Sequence, residues 1–191
     1  NEGFWNVLMT CLEVIEQHPL PLLNFSRRDV LIDHLVFLHG VIIASEAILF
    51  KAACKATGQV ALYYQKHLGE ERDHATWLAE DLLSVDVTPP QVHWRAARLA
   101  GTQFYLIEHV SAVAPLGYMA ALECRPWSMA QVELLESLHG KPLLRTVRYH
   151  AEHDIDHGRD LLTLIESLSS HEQDIVINNA AHTAWLLSKV E

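Results

Sequence analysis

The chain has 191 residues, half of them hydrophobic and a fifth charged, and a formal net charge of −10. That length and balance fit one globular domain over 1–191 with enough apolar surface for a real core. The acidic balance argues against nucleic acid or an anionic membrane as a partner, because both demand a cationic surface.

Taken in chain order, Phe4 to His18 has the pattern of a first helix, stopped by Pro19 and Pro21. Ser26 is placed to cap a long apolar helix from Arg27 to about Thr57, with Asp29 in the capping-box position and a bend at Gly40. Its most apolar run, Val36 to Phe50, is interrupted by His39, Gly40 and Glu46, too short and too polar for a membrane span. Gly58 punctuates, and a third helix is expected over Gln59 to Ser84, before Pro89 and Pro90. A fourth runs from about Gln91 to Val113, and a shorter one from Leu116 to Cys124 stops at Arg125 and Pro126. Ser128 caps the next, up to Leu138, and His139-Gly140 ends it. A helix from about Pro142 to Leu168 and a last one from Ser170 to Lys189 complete the series. No segment shows period-two alternation between hairpin turns, so the expected fold class is an all-α bundle.

Cys11, Cys54 and Cys124 are few, odd in number and without metal-ligand spacing, which excludes a disulfide framework and makes a reducing cytoplasm the expected compartment. No basic-then-apolar leader opens the chain, so no signal peptide is expected.

The chemistry-bearing stretch is His150-Ala-Glu-His-Asp-Ile-Asp-His157. At about 100° per residue, His150, Asp154 and His157 leave a helix within roughly 60° of one another. Leu143, Leu144 and Val147 before them and Leu161, Leu162 and Ile165 after them continue one stripe, so these polar residues fall on a buried face. Two imidazoles and a carboxylate there form a ligand set for iron, manganese or zinc. A solvated charged face is the competing reading.

Three further helices carry candidates. Glu71 and His74, in His67-Leu-Gly-Glu-Glu-Arg-Asp-His74, have the Glu-x-x-His spacing by which di-iron bundles present a carboxylate and an imidazole together. His67 is read as a supporting or surface residue. Glu46 lies among Ile42, Ile43, Ile48, Leu49 and Phe50, where a carboxylate needs a cation, a core salt bridge or an outward orientation. Glu123 ends a run that is uncharged from Val110 onward and wants a partner, whereas Glu108 reads as a solvated or satisfied acid. Together, Glu46, Glu71, His74, Glu123, Asp154 and His157 match the di-metal recipe of two lone carboxylates and two carboxylate-x-x-His pairs, and His150 is one histidine beyond it. Asp73, Glu152 and Asp156 are the expected partners of the imidazoles, and Arg72, Arg125 and Arg148 are candidates to bind a substrate carboxylate, or are surface residues.

In these residues the sequence resembles the haem-oxygenase-like di-iron oxidases and oxygenases, whose fold is shared with TenA thiaminases. The resemblance is carried by Glu71 with His74, by Pro-Leu-Gly-Tyr ahead of Glu123, and by His150-x3-Asp154-x2-His157, with Glu46 matching an additional ligand of some members. It implies a haem-oxygenase/TenA-like helical bundle of about seven to eight helices. It also implies two Fe(II)/Fe(III) ions, O2 as co-substrate, and a small amine, amino acid or carboxylic acid as substrate. Glu71, His74 and Glu123 would then act in catalysis through the metal, in a fold where homodimers are common. No haem is implied, because nothing matches the proximal-histidine segment of haem oxygenases. Two enzymatic alternatives are a ferritin-like iron oxidase and a metal-free, TenA-like hydrolase with Cys124 as nucleophile, in Ala-Leu-Glu-Cys-Arg-Pro-Trp. Against the latter, Glu123 has the wrong sign to activate a neighbouring thiolate. A non-catalytic helical interaction module is the third class.

Overall fold

The computed structural model describes residues 6–10, 13, 25–124 and 126–188. Most of the first expected helix therefore lies outside the described residues, although 6–10 and 13 are helical. From residue 28 onward the helices are α1 (Arg28–Lys55), α2 (Gly58–Glu70), α3 (His74–Leu83), α4 (Trp94–His109), α5 (Pro115–Glu123), α6 (Met129–His139), α7 (Arg145–Glu166) and α8 (Ser170–Ser188). A single 3-10 turn, Lys141–Leu144, leads into α7, and no strand occurs among the described residues. The fold is all-α, as the periodicity predicts.

The largest departure from expectation is the third helix, which is two. Asp73 sits in the left-handed region at φ 69°, and α3 restarts at His74. Asp and Asn tolerate this conformation better than other residues with a Cβ, which is why the break falls here without a proline. Smaller corrections concern caps. The residue before α1 is Arg27, whose side chain binds Asp29, in place of a Ser26 cap. Ser169 rather than Ser170 opens α8, exchanging bonds with Glu172, while Ser128 and Gln131 form the expected capping box on α6.

Helix α1 continues unbroken through Gly40. That glycine is there for contact: a Cβ would lie 2.9 Å from that of Ala96 on α4. At 28 residues and a mean hydropathy of 1.8 over its most apolar window, α1 is long and apolar enough to cross a membrane, so brevity does not argue against a span. Leu31, Leu35, Val41, Ile48, Leu49 and Ala52 instead face neighbouring helices, the arrangement of a core helix.

The core has two parts. One gathers Ile48, Val60, Tyr64, Leu99, Leu116, Leu161, Ile165 and Val176, and the other gathers Leu31, Leu78, Leu82, Leu135, Leu143, Val147 and Ala151. Along α2–α3 and along α7, residues 67–74 and 150–157 fall where one part gives way to the other. Gln103 and Asn179 exchange buried amide hydrogen bonds, and Asn179 also donates to the Ala114 carbonyl, tying α8 to α4 and to the start of α5.

Asp81 on α3 fixes the start of α7. Its buried carboxylate accepts from the Thr146 backbone N–H at 2.7 Å and pairs with Arg145 at 3.0 Å. Asp81→Ala strands that N–H and is expected to cost about 2 kcal/mol, measurable by denaturant unfolding.

Candidate metal centre

Four helix segments deliver the site. The α2–α3 junction brings His67, Glu70, Glu71 and His74, the end of α5 brings Glu123, and the middle of α7 brings His150, Asp154 and His157. Gly158 allows α7 to lie close to the end of α5, since a Cβ there would sit 3.3 Å from Cys124 Cα and 3.4 Å from the Glu123 carbonyl oxygen.

The donor atoms converge in two groups. His67, Glu123 and His157 form one, and Glu71, His74 and His150 form the other, each with ligand atoms within 4.8 Å of one another. His67 Nε2 is 3.0 Å from Glu123 Oε1. In the second group His74 Nδ1 is 3.2 Å from Glu71 Oε2. Two acids link the groups. Glu71 reaches back with Oε1 to within 3.8 Å of His67 Nε2, and Asp154 Oδ1 is 3.1 Å from His150 Nδ1 and 3.8 Å from His157 Nδ1.

All the metal-ligand candidates of the sequence are thus assembled, with one exception. Glu46 is half-buried, belongs to neither group and bonds to no described residue. His67, read from sequence as a supporting residue, is instead buried and central. Face arithmetic put it on one face with Glu71 and His74, but the partner that makes it central, Glu123, is remote in sequence. The expected imidazole partners are elsewhere: Asp73 is exposed at the break, while Glu152 and Asp156 pair with Arg148 and Arg159. Glu71, Asp154 and Glu70 take that place, Glu70 standing 3.6 Å from His67 and 3.7 Å from His157. Arg148 is held bidentately by Glu136 at 2.7 Å on both nitrogens, Arg72 is exposed, and Arg125 lies outside the described residues. Glu108 is a surface acid bound by Lys51 and Lys55.

The buried acids and imidazoles shift one another's proton affinity. Burial pulls His67 down, but the carboxylates of Glu123, Glu71 and Glu70 outweigh it and carry it up to about 9. Burial raises Glu123 against the pull of His67. Glu71 is held low, because the His74 hydrogen bond and neighbouring imidazoles outweigh its own burial. His150 is raised, its burial overcome by Asp154. The His67 and Glu123 shifts act on stability with the same sign. A histidine raised from 6.5 to about 9 contributes fully below 6.5 and loses that contribution through 9, and a raised carboxyl likewise loses stability above its ordinary range. The metal-free protein is expected to lose Tm between pH 6.5 and about 9, with His67→Gln flattening the loss. A flat wild-type profile would show that the pair carries no proton.

Whether these residues fit a metal pair is tested by their leftover atoms. His74 Nε2, His150 Nε2, His157 Nδ1 and Glu123 Oε2 are all buried without a hydrogen-bond partner. Buried polar atoms are ordinarily satisfied, so four orphans in one place need an explanation. With Nδ1–H of His74 and of His150 donated to Glu71 and Asp154, each Nε2 keeps its lone pair for a cation, the arrangement by which carboxylates orient metal-binding imidazoles. The donor set fits two first-row cations.

No family model and no curated protein matches the chain. Among solved structures, a TenA homolog from Pseudomonas syringae pv. tomato str. DC3000 superposes with a TM-score of 0.70 over 98% of this chain and 88% of that one, at 12% identity. The chain has the TenA-like, haem-oxygenase-like helical fold.

Proposed function

We propose that the protein is a non-haem di-iron enzyme that uses O2 to oxidise or oxygenate a small amine, amino acid or carboxylic acid. The observation that carries this reading is the set of four orphaned, buried ligand atoms in two adjacent groups joined by Glu71 and Asp154. When bound, a ferrous pair supplies the electrons for O2 reduction.

The chain's own residues set the conditions for that chemistry. Glu71 can serve both groups through its two oxygens, as an imidazole cannot. Asp154 holds His150 in register and retains a second oxygen for a cation. Glu123, bonded through one oxygen to His67, presents the other inside the site. Tyr118, bonded to Ser45, has its phenol held protonated by burial and by the nearby Glu123 and Glu71 carboxylates. Neither a cysteine mechanism nor a docking role uses these atoms. Cys124 Sγ donates to the Gly158 carbonyl at 3.9 Å.

The test is anaerobic loading with ferrous iron, then mixing with O2 in the presence of panels of amines, amino acids and carboxylic acids. The expected result is a transient visible absorption and O2 uptake coupled to loss of one organic substrate. Full O2 consumption with iron alone and accumulation of ferric oxide would instead assign a ferritin-like role, and absence of any O2 reaction would refute the redox reading.

A further inference from the structure

Tyr63 stands one turn before His67 on α2, and its ring lies flat on that imidazole, with centroids 5.7 Å apart and planes 9° from parallel. Its hydroxyl is buried and has no hydrogen-bond partner among the described residues. The neighbouring tyrosines show the ordinary solution: Tyr64 donates to the Ala112 carbonyl at 2.9 Å, and Tyr118 bonds to Ser45 at 3.2 Å. An unpaired buried hydroxyl is a standing cost to the fold that a bound acceptor would remove. Burial and the Glu123 carboxylate both push the phenol up, which keeps it a donor. Glu123 Oε2, an acceptor, is orphaned as well.

We propose that Tyr63 is a ligand-binding residue of this site, its O–H donating to a small anionic or lone-pair-bearing acceptor held at the His67–Glu123–His157 group. The acceptor is one that a metal ion would bring there, so the inference rests on the metal-centre reading. It goes further in naming a donor outside the ligand set and the chemical class that it recognises.

Tyr63→Phe keeps the ring and its stacking and removes only the hydroxyl. In the metal-free protein, loss of an unpaired group leaves Tm unchanged or raises it. A lowered Tm would reveal a structural partner and overturn the proposal. In the iron-loaded protein, titration with azide followed by its absorption reads the acceptor directly. The variant is expected to hold as much iron as the wild type and to bind azide about tenfold more weakly. Equal azide affinity, or loss of iron from the variant, would overturn the proposal while leaving the metal-centre reading in place. A wild-type protein that takes up no iron would refute that reading instead.

Discussion

Replacing Glu71 with alanine should strip iron from both positions, lowering the affinity of each by about 100-fold. Glu71 belongs to one group and reaches the other, its carboxylate lying 3.2 Å from His74 and 3.8 Å from His67. It is also buried, so its loss cannot be made good by solvent in the same place. The comparison is Glu108→Ala. Glu108 is exposed and bound by Lys51 and Lys55, and its removal should change stability by no more than about 0.5 kcal/mol and iron content not at all. Metal analysis after desalting reads both variants. Equal losses would mean that the cluster is misassigned, and retained iron in Glu71→Ala would remove the α2–α3 junction from the site.

Gly117→Ala is the second large effect and acts on the fold. A Cβ at this position would lie 2.1 Å from the Val176 carbonyl oxygen and 2.8 Å from the Ala180 nitrogen. Both are backbone atoms of α8, so no side-chain rotation relieves the clash, and α5 must move away from α8. The expected destabilisation is about 3 kcal/mol. Because Glu123 ends α5, iron affinity should fall with it even where the variant still folds. Thermal unfolding with and without iron checks both parts. An unchanged Tm would show that α5 and α8 do not approach this closely.

Much of the fold was legible because helix periodicity and punctuation agree. The stripe from Val147 through Asp154 to Leu161 and Ile165 is buried as spacing requires, and Gly58, Ser128 and Gly140 sit at the ends that they mark. The α2–α3 break was not legible. Asp73 takes up a left-handed conformation in a segment with no proline or glycine beside it, and although Asp tolerates that conformation, nothing in the local sequence demands it. His67 was legible only in part: face arithmetic put it beside Glu71 and His74, but its partner, Glu123, comes from 56 positions away in sequence and is invisible to local spacing. The orienting acids failed for a related reason. Glu152 and Asp156 are near His150 and His157 in sequence but on the outer side of α7, where arginines claim them. Glu46 shows the limit from the other direction: apolar neighbours in sequence made it conspicuous, yet it joins neither group.

The central claim is that acids and imidazoles from separate helices enclose a pair of cations. The most direct measurement is metal content per chain after anaerobic incubation with ferrous iron and removal of the excess. The account predicts about two irons per chain in the wild type and about one when His67, which serves a single group, is changed to alanine. A wild-type protein that retains none, or a His67→Ala variant that keeps the full complement, would contradict it.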